Sequence, residues 1–143
     1  MTKRLVIFAL AVITFAAAPQ ALKAADANAR CPLGNATISG AYMTQATGSI
    51  VGVGPMAAAG VWTFDGEGNS VLTMTVSVNG AISRATLSGT YTVKSNCTMT
   101  ISLSGGNNNY DGVVAPDGNT GYWVATDPGT AFNGTVIRPG HPE

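Results

Sequence analysis

Charged side chains are scarce in this sequence. Only 10% of residues are Asp, Glu, Lys or Arg, and seven basic residues balance seven acidic ones. A nucleic-acid-binding protein would show a basic surplus, and none is present. Histidine is almost absent: the one copy, His141, lies in residues 139–143, which read as a disordered tail and offer no ordered base for a Ser/His/Asp triad. One His and two Cys cannot build a Cys/His structural zinc site within one chain. Asp65-x-Glu67 with Asn69 is reminiscent of a calcium loop, but it lacks the full ligand spacing and the terminal bidentate Glu. Gly48 to Pro55 is Gly-rich but has no Gly-Lys-Ser and no following helix. It reads as a mobile loop over one end of the fold rather than a phosphate cradle. No metal and no cofactor is expected. Apolar residues, by contrast, make up 45% of the 143 residues, which argues against intrinsic disorder and for one domain.

Residues 1–29 read as a secretory signal peptide. Lys3 and Arg4 precede an apolar stretch from Leu5 to Pro19, broken only by Thr14, and A-x-A patterns follow at Ala25 to Ala29. The stretch is shorter than the roughly 20 residues that span a bilayer. A secreted or periplasmic chain of the bacterial Sec type is expected, with no membrane insertion once the leader is removed. Counted from Ala25, Arg30, Arg84, Lys94 and Arg138 face seven acids, a net charge of −3. DNA, heparin and anionic lipid are therefore disfavoured as partners by charge. Cys31 and Cys97 both lie in the exported part, and an oxidising compartment favours a disulfide between them. The N-x-S/T triplets at Asn35, Asn96 and Asn133 matter only in a eukaryotic secretory path.

From residue 30 to 138 the chain has no helical period. It has short β-rich runs separated by turn signals, at the spacing of an all-β barrel or sandwich. Strands are predicted near 38–47, 57–64, 70–78, 81–93, 97–104, 108–115, 119–126 and 130–138. Each connection from residue 57 onward is short, and short connections join antiparallel neighbours. A meander of eight such strands loses its edges by closing on itself. An eight-stranded antiparallel up-and-down β-barrel is therefore expected. Asn79-Gly80 is the favoured type I′ turn and pairs Val78 with Ala81, Val76 with Ser83, Met74 with Ala85 and Leu72 with Leu87. A loop at Lys94-Ser95-Asn96 then pairs Val93 with Cys97, so Tyr91, Met99, Ile101 and Leu103 share the inner face. Thr73, Thr75, Thr86, Thr90, Thr98 and Thr100 fall outside. Trp62 and Phe64 are read as inward together with Gly60. In the seventh strand two parities stay open: either Tyr122 and Val124, or Trp123 and Ala125, point in.

Several of these motifs recur together elsewhere. Cys31, Gly40-Ala41-Tyr42, Phe64-Asp65-Gly66-Glu67-Gly68-Asn69, Gly89-Thr90-Tyr91-Thr92-Val93 and Cys97 resemble the pattern of a group of secreted bacterial proteins whose activity is uncharacterised. More distantly, the meander is similar to calycin-type barrels, including lipocalins and the allene oxide cyclase type. That likeness implies a fold and transfers no residue and no reaction. Tyr42, Trp62, Phe64, Met74, Tyr91 and Met99 are the candidate ligand-binding residues, on the expectation that the barrel holds a small apolar or aromatic molecule. An eight-stranded barrel is either packed or just wide enough for one small ligand, and both stay open here. No catalytic residue is assigned. An alternative cyclase or isomerase would use Tyr42, Tyr91 and Asp111, and needs Asp111 or another acid inside; a structural envelope protein without ligand needs a filled barrel and an exposed apolar patch outside.

Overall fold

The computed structural model describes residues 29–106 and 108–140. Residues 1–28 of the leader and His141 lie outside them. A short 3-10 turn (Gly34–Thr37) precedes eight strands. These are β1 (Gly40–Ile50), β2 (Gly54–Phe64), β3 (Asn69–Val78), β4 (Ala81–Val93), β5 (Thr98–Leu103), β6 (Asn109–Val114), β7 (Thr120–Ala125) and β8 (Thr130–Ile137). Each strand pairs antiparallel with the next, and β8 pairs with β1, so the sheet closes into a barrel.

The β3–β4 hairpin has the expected register: Leu72 faces Leu87, Met74 faces Ala85 and Val78 faces Ala81. Asn79 (φ 48°) and Gly80 (φ 85°) both adopt the positive φ that a type I′ turn requires. Alternation does the rest. Leu72, Tyr91, Met99, Ile101 and Leu103 are buried, while Thr75, Thr86 and Thr100 are exposed. Threonine outside keeps strand propensity high with little charge.

The β4–β5 connection differs from the expected pairing. Val93 faces Met99, not Cys97. Cys97 takes φ 69° and closes the turn, its N–H donating to the Lys94 carbonyl. Lys94 N–H in turn donates to the Thr98 carbonyl, so the three-residue loop is Ser95-Asn96-Cys97, one step later in sequence. The partner shifts by two residues, an even number, and each side chain keeps its face. Gly48 to Pro55 is also not a loop. Strands β1 and β2 run through it, with Gly48 facing Met56 and Ser49 facing Pro55, and only Val51-Gly52-Val53 turns. The glycines serve close packing here: a Cβ at Gly48 would stand 2.2 Å from the Ala131 carbonyl oxygen of β8. The parity of β7 is settled as well. Trp123 and Ala125 are buried, and Tyr122 is 61% exposed.

The two ends of the barrel are unlike. At one end, Cys31 is bonded to Cys97, as an oxidising compartment allows. The 3-10 turn lies across the opening, held by Val93 N–H donating to Asn35 Oδ1 (2.8 Å) and by Cys31 N–H donating to the Ser95 carbonyl (2.9 Å). Gly118 fits under this plug only as glycine, since a Cβ there would lie 1.9 Å from the Thr37 carbonyl oxygen. Arg138 completes the closure, donating to the Ser39 carbonyl (2.8 Å) and to the Tyr42 hydroxyl (2.5 Å). The other end carries the hairpin turns of β1–β2, β3–β4, β5–β6 and β7–β8.

Candidate functional site

An aromatic file runs along the barrel axis. At the plugged end Tyr91 meets Phe64 edge-on (centroids 5.0 Å) and Tyr42 meets Phe64 at 5.6 Å. Phe64 stacks on Trp62 at 5.5 Å, and Trp62 touches Trp123 edge-on at 5.7 Å. Beyond Trp123 stand Tyr110 at 5.0 Å and Phe132 at 6.3 Å. Each such pair adds about 0.5–1.5 kcal/mol beyond its buried area. Up to Trp62 the file is solid. Tyr42, Trp62, Phe64, Tyr91 and Met99 are all at most 3% exposed.

Above Trp123 the filling stops. A cavity of about 190 Å³ opens in the unplugged half. Strands β1 to β3 supply Ala46, Ile50, Met56, Ala58, Leu72, Met74 and Val76; β6 to β8 supply Tyr110, Trp123 and Phe132. Small residues make the space. A Cβ at Gly134 would lie 2.4 Å from the Trp123 ring, so the indole occupies the place of a side chain at 134. Ala46 and Ala58, which face each other across β1 and β2, leave the room beside it.

Several polar groups around the cavity are hydrogen-bonded. Thr44 donates to the Thr135 carbonyl (2.7 Å), Thr130 to the Asp127 carbonyl (2.5 Å), and Asn108 Nδ2 to the Ser104 carbonyl (3.1 Å). The Asp127 carboxylate accepts from Asn109 N–H and Nδ2, both at 2.7 Å, and so ties the β5–β6 connection to the β7–β8 turn. Burial, with Asp127 nearby as a lesser cause, pushes the Tyr110 phenol up to about 12, so it stays a neutral donor. Trp123 Nε1 is buried with no hydrogen-bond partner.

Of the six ligand-binding candidates, Met74 alone lines this cavity. Tyr42, Trp62, Phe64, Tyr91 and Met99 lie together in the filled half. There the Tyr42 hydroxyl donates to the Gly118 carbonyl (2.6 Å), and that of Tyr91 is within 3.1 Å of the Asn35 and Ile38 carbonyls. Burial raises both phenols, Tyr91 to about 12, so neither is a base near neutrality. Asp111 is exposed on the outer wall, facing Thr100 and Val124, and does not meet the two tyrosines. Tyr110, Trp123, Phe132, Ile50, Met56 and Ala58 were not singled out by sequence. A signal for Trp123 existed: Asp111 pairs with Val124, so an acid kept outside in β6 turns Val124 out and Trp123 in. Among the described residues no cluster of three or more His, Cys, Asp or Glu is placed to hold a metal. No protein-family model matches the chain, and no curated protein or solved structure matches it.

Proposed function

We propose that this chain is an exported barrel that binds a small apolar or aromatic molecule in its unplugged half. The observation that carries the reading is the apolar cavity of about 190 Å³ directly above a fully packed floor. A cavity of about 150 Å³ lined by aliphatic and aromatic side chains stays dry and takes benzene or xenon. The size therefore suits a one-ring molecule. Among the described residues no Asp, Glu, Lys or Arg lines the cavity, which disfavours a charged ligand. The leader, the disulfide and the resemblance to secreted bacterial barrels support export. The likeness to calycin-type barrels is in keeping with a ligand inside the sheet, at the level of fold.

Calorimetric titration with toluene and indole tests the reading. The wild-type chain binds at least one of them, and Ala58→Phe, which fills the cavity from β2, abolishes binding while the barrel still melts cooperatively. Should Ala58→Phe fail to fold, Met74→Trp fills the same space from β3. Absence of binding by the wild type to both compounds overturns the reading, as does unchanged binding by a folded, filled variant.

A further inference from the structure

Closure of the barrel is uneven in height. Strand β4 runs from Ala81 to Val93, but β5 pairs with it only from Gly89 to Val93. Among the described residues no strand stands beside Ala81 to Ser88 on that side. Ser104 N–H donates to the Ser88 carbonyl (2.8 Å) and marks where the cover ends. Exposure agrees with this. Ser83 has inward parity, opposite Val76, and is nonetheless exposed. The register says which main-chain groups are free. Val78 and Ala81 flank the two-residue turn and exchange both main-chain bonds, as do Val76 with Ser83 and Met74 with Ala85. Ile82, Arg84 and Thr86 therefore turn their N–H and C=O groups away from β3, toward the open side. Such a row is a template for one more strand.

Side chains narrow the choice of strand. On the inward parity Ser83 and Ala85 are small, and across from them stand Val76 and Met74 of the cavity wall. They leave room for bulky apolar side chains on an added strand. On the outer face Arg84 is exposed midway along the edge, and β2, β3, β4 and β5 contain no acidic residue to pair with it. The same arginine disfavours a second copy as the added strand. Antiparallel pairing of two β4 edges centred on Arg84 sets two guanidinium groups face to face.

We propose that the free β4 edge from Ile82 to Thr86 takes up an extended segment of a partner protein, with a carboxylate opposite Arg84 and a bulky apolar residue on either side of it. The carboxylate lies on the outer face. The two apolar side chains turn inward over Ser83 and Ala85, since successive residues of a strand face opposite ways. The proposal goes beyond the cavity reading: the main-chain bonds to β4 need no small molecule in the barrel.

Fluorescence polarisation of a fluorescein-labelled peptide, Thr-Leu-Glu-Leu-Thr, titrated with the intact exported chain tests the proposal. The peptide is expected to bind about fivefold more tightly than the same peptide with Lys in place of Glu, the scale of a cross-strand charge pair. Arg84→Glu should reverse that preference. Thr86→Pro removes one free N–H while leaving the bonds to β3 in place, and should weaken binding of the Glu peptide about tenfold. If Thr86→Pro fails to fold, Arg84→Glu, a change at an exposed side chain, carries the test alone. No binding of the Glu peptide by the wild type at millimolar protein overturns the proposal. So does a preference that Arg84→Glu leaves unmoved, or unchanged affinity in a folded Thr86→Pro chain. A wild-type dimer in sedimentation that Thr86→Pro dissolves would assign the edge to a second copy and overturn the proposal too.

Discussion

The two halves of this barrel are built from the same alternating strands, yet one is solid and the other hollow. The difference lies in what stands on alternate inward positions. Toward the plug, inward positions hold Tyr42, Trp62, Phe64, Tyr91, Val93 and Met99, all buried. Toward the open turns they hold Ala46, Ala58, Met74 and Val76 around the large rings of Trp123 and Phe132. A sheet of eight strands fixes the width of the interior, and side-chain volume then decides whether a void remains. The plugged half is also anchored by three kinds of bond: a disulfide, the Arg138–Tyr42 contact and the hydrogen bond from Val93 N–H to the Asn35 side chain of the 3-10 turn. The open half has rim hydrogen bonds and little else. Close packing and free volume are thereby divided between ends.

That contrast can be challenged by paired substitutions. Trp62→Ala removes a ring with no exposed surface and is expected to cost about 3–5 kcal/mol, the range of buried aromatic truncations. Met74→Ala widens an existing void beside a half-buried side chain and is expected to cost about 1 kcal/mol. Urea unfolding midpoints measure both, and equal costs would mean that the two halves are packed alike. Replacing Cys31 and Cys97 by Ser opens a loop of sequence separation 66 and should cost about 4 kcal/mol by chain entropy. Hydrogen exchange should place the lost protection near the 3-10 turn and β4–β5, with the cavity strands less affected.

The smallest effect is electrostatic. Asp65 caps the β2–β3 turn at the plugged end, accepting from the N–H groups of Glu67, Gly68 and Asn69 and from Asn69 Nδ2. These bonds, the Asn69 side chain first, hold its carboxyl at about 2 against an ordinary 3.8. A lowered folded-state value contributes stability above the ordinary value and loses it as pH falls toward 2. The turn is exposed, so the amplitude is small. Between pH 4 and pH 2, Asp65→Asn should flatten the fall of melting temperature slightly. A slope identical to that of the parent would remove the cap from the account.

Much of the barrel was legible in the residues because period-two patterning and turn chemistry are local. Asn79-Gly80 sets the β3–β4 register, and that register sets the faces of two strands at once. The β4–β5 register reads one turn position early in the sequence because Cys97 takes a left-handed φ that cysteine seldom adopts. Gly48 to Pro55 reads as a loop in the sequence since glycine marks turns. Here Gly48 instead lets β8 approach closely, a tertiary fact. The inner-face aromatics were found, but not which of them pack together and which border a void. That depends on which side chains of β1 to β3 meet those of β6 to β8 across the barrel, contacts between positions far apart in the chain.

The most direct measurement of the central division is a crystal of the exported chain pressurised with xenon. Xenon is expected in the unplugged half, between Leu72, Met74, Trp123 and Phe132, and none among Tyr42, Phe64 and Tyr91. A barrel that takes up no xenon, or takes it up at the plugged end, would contradict it.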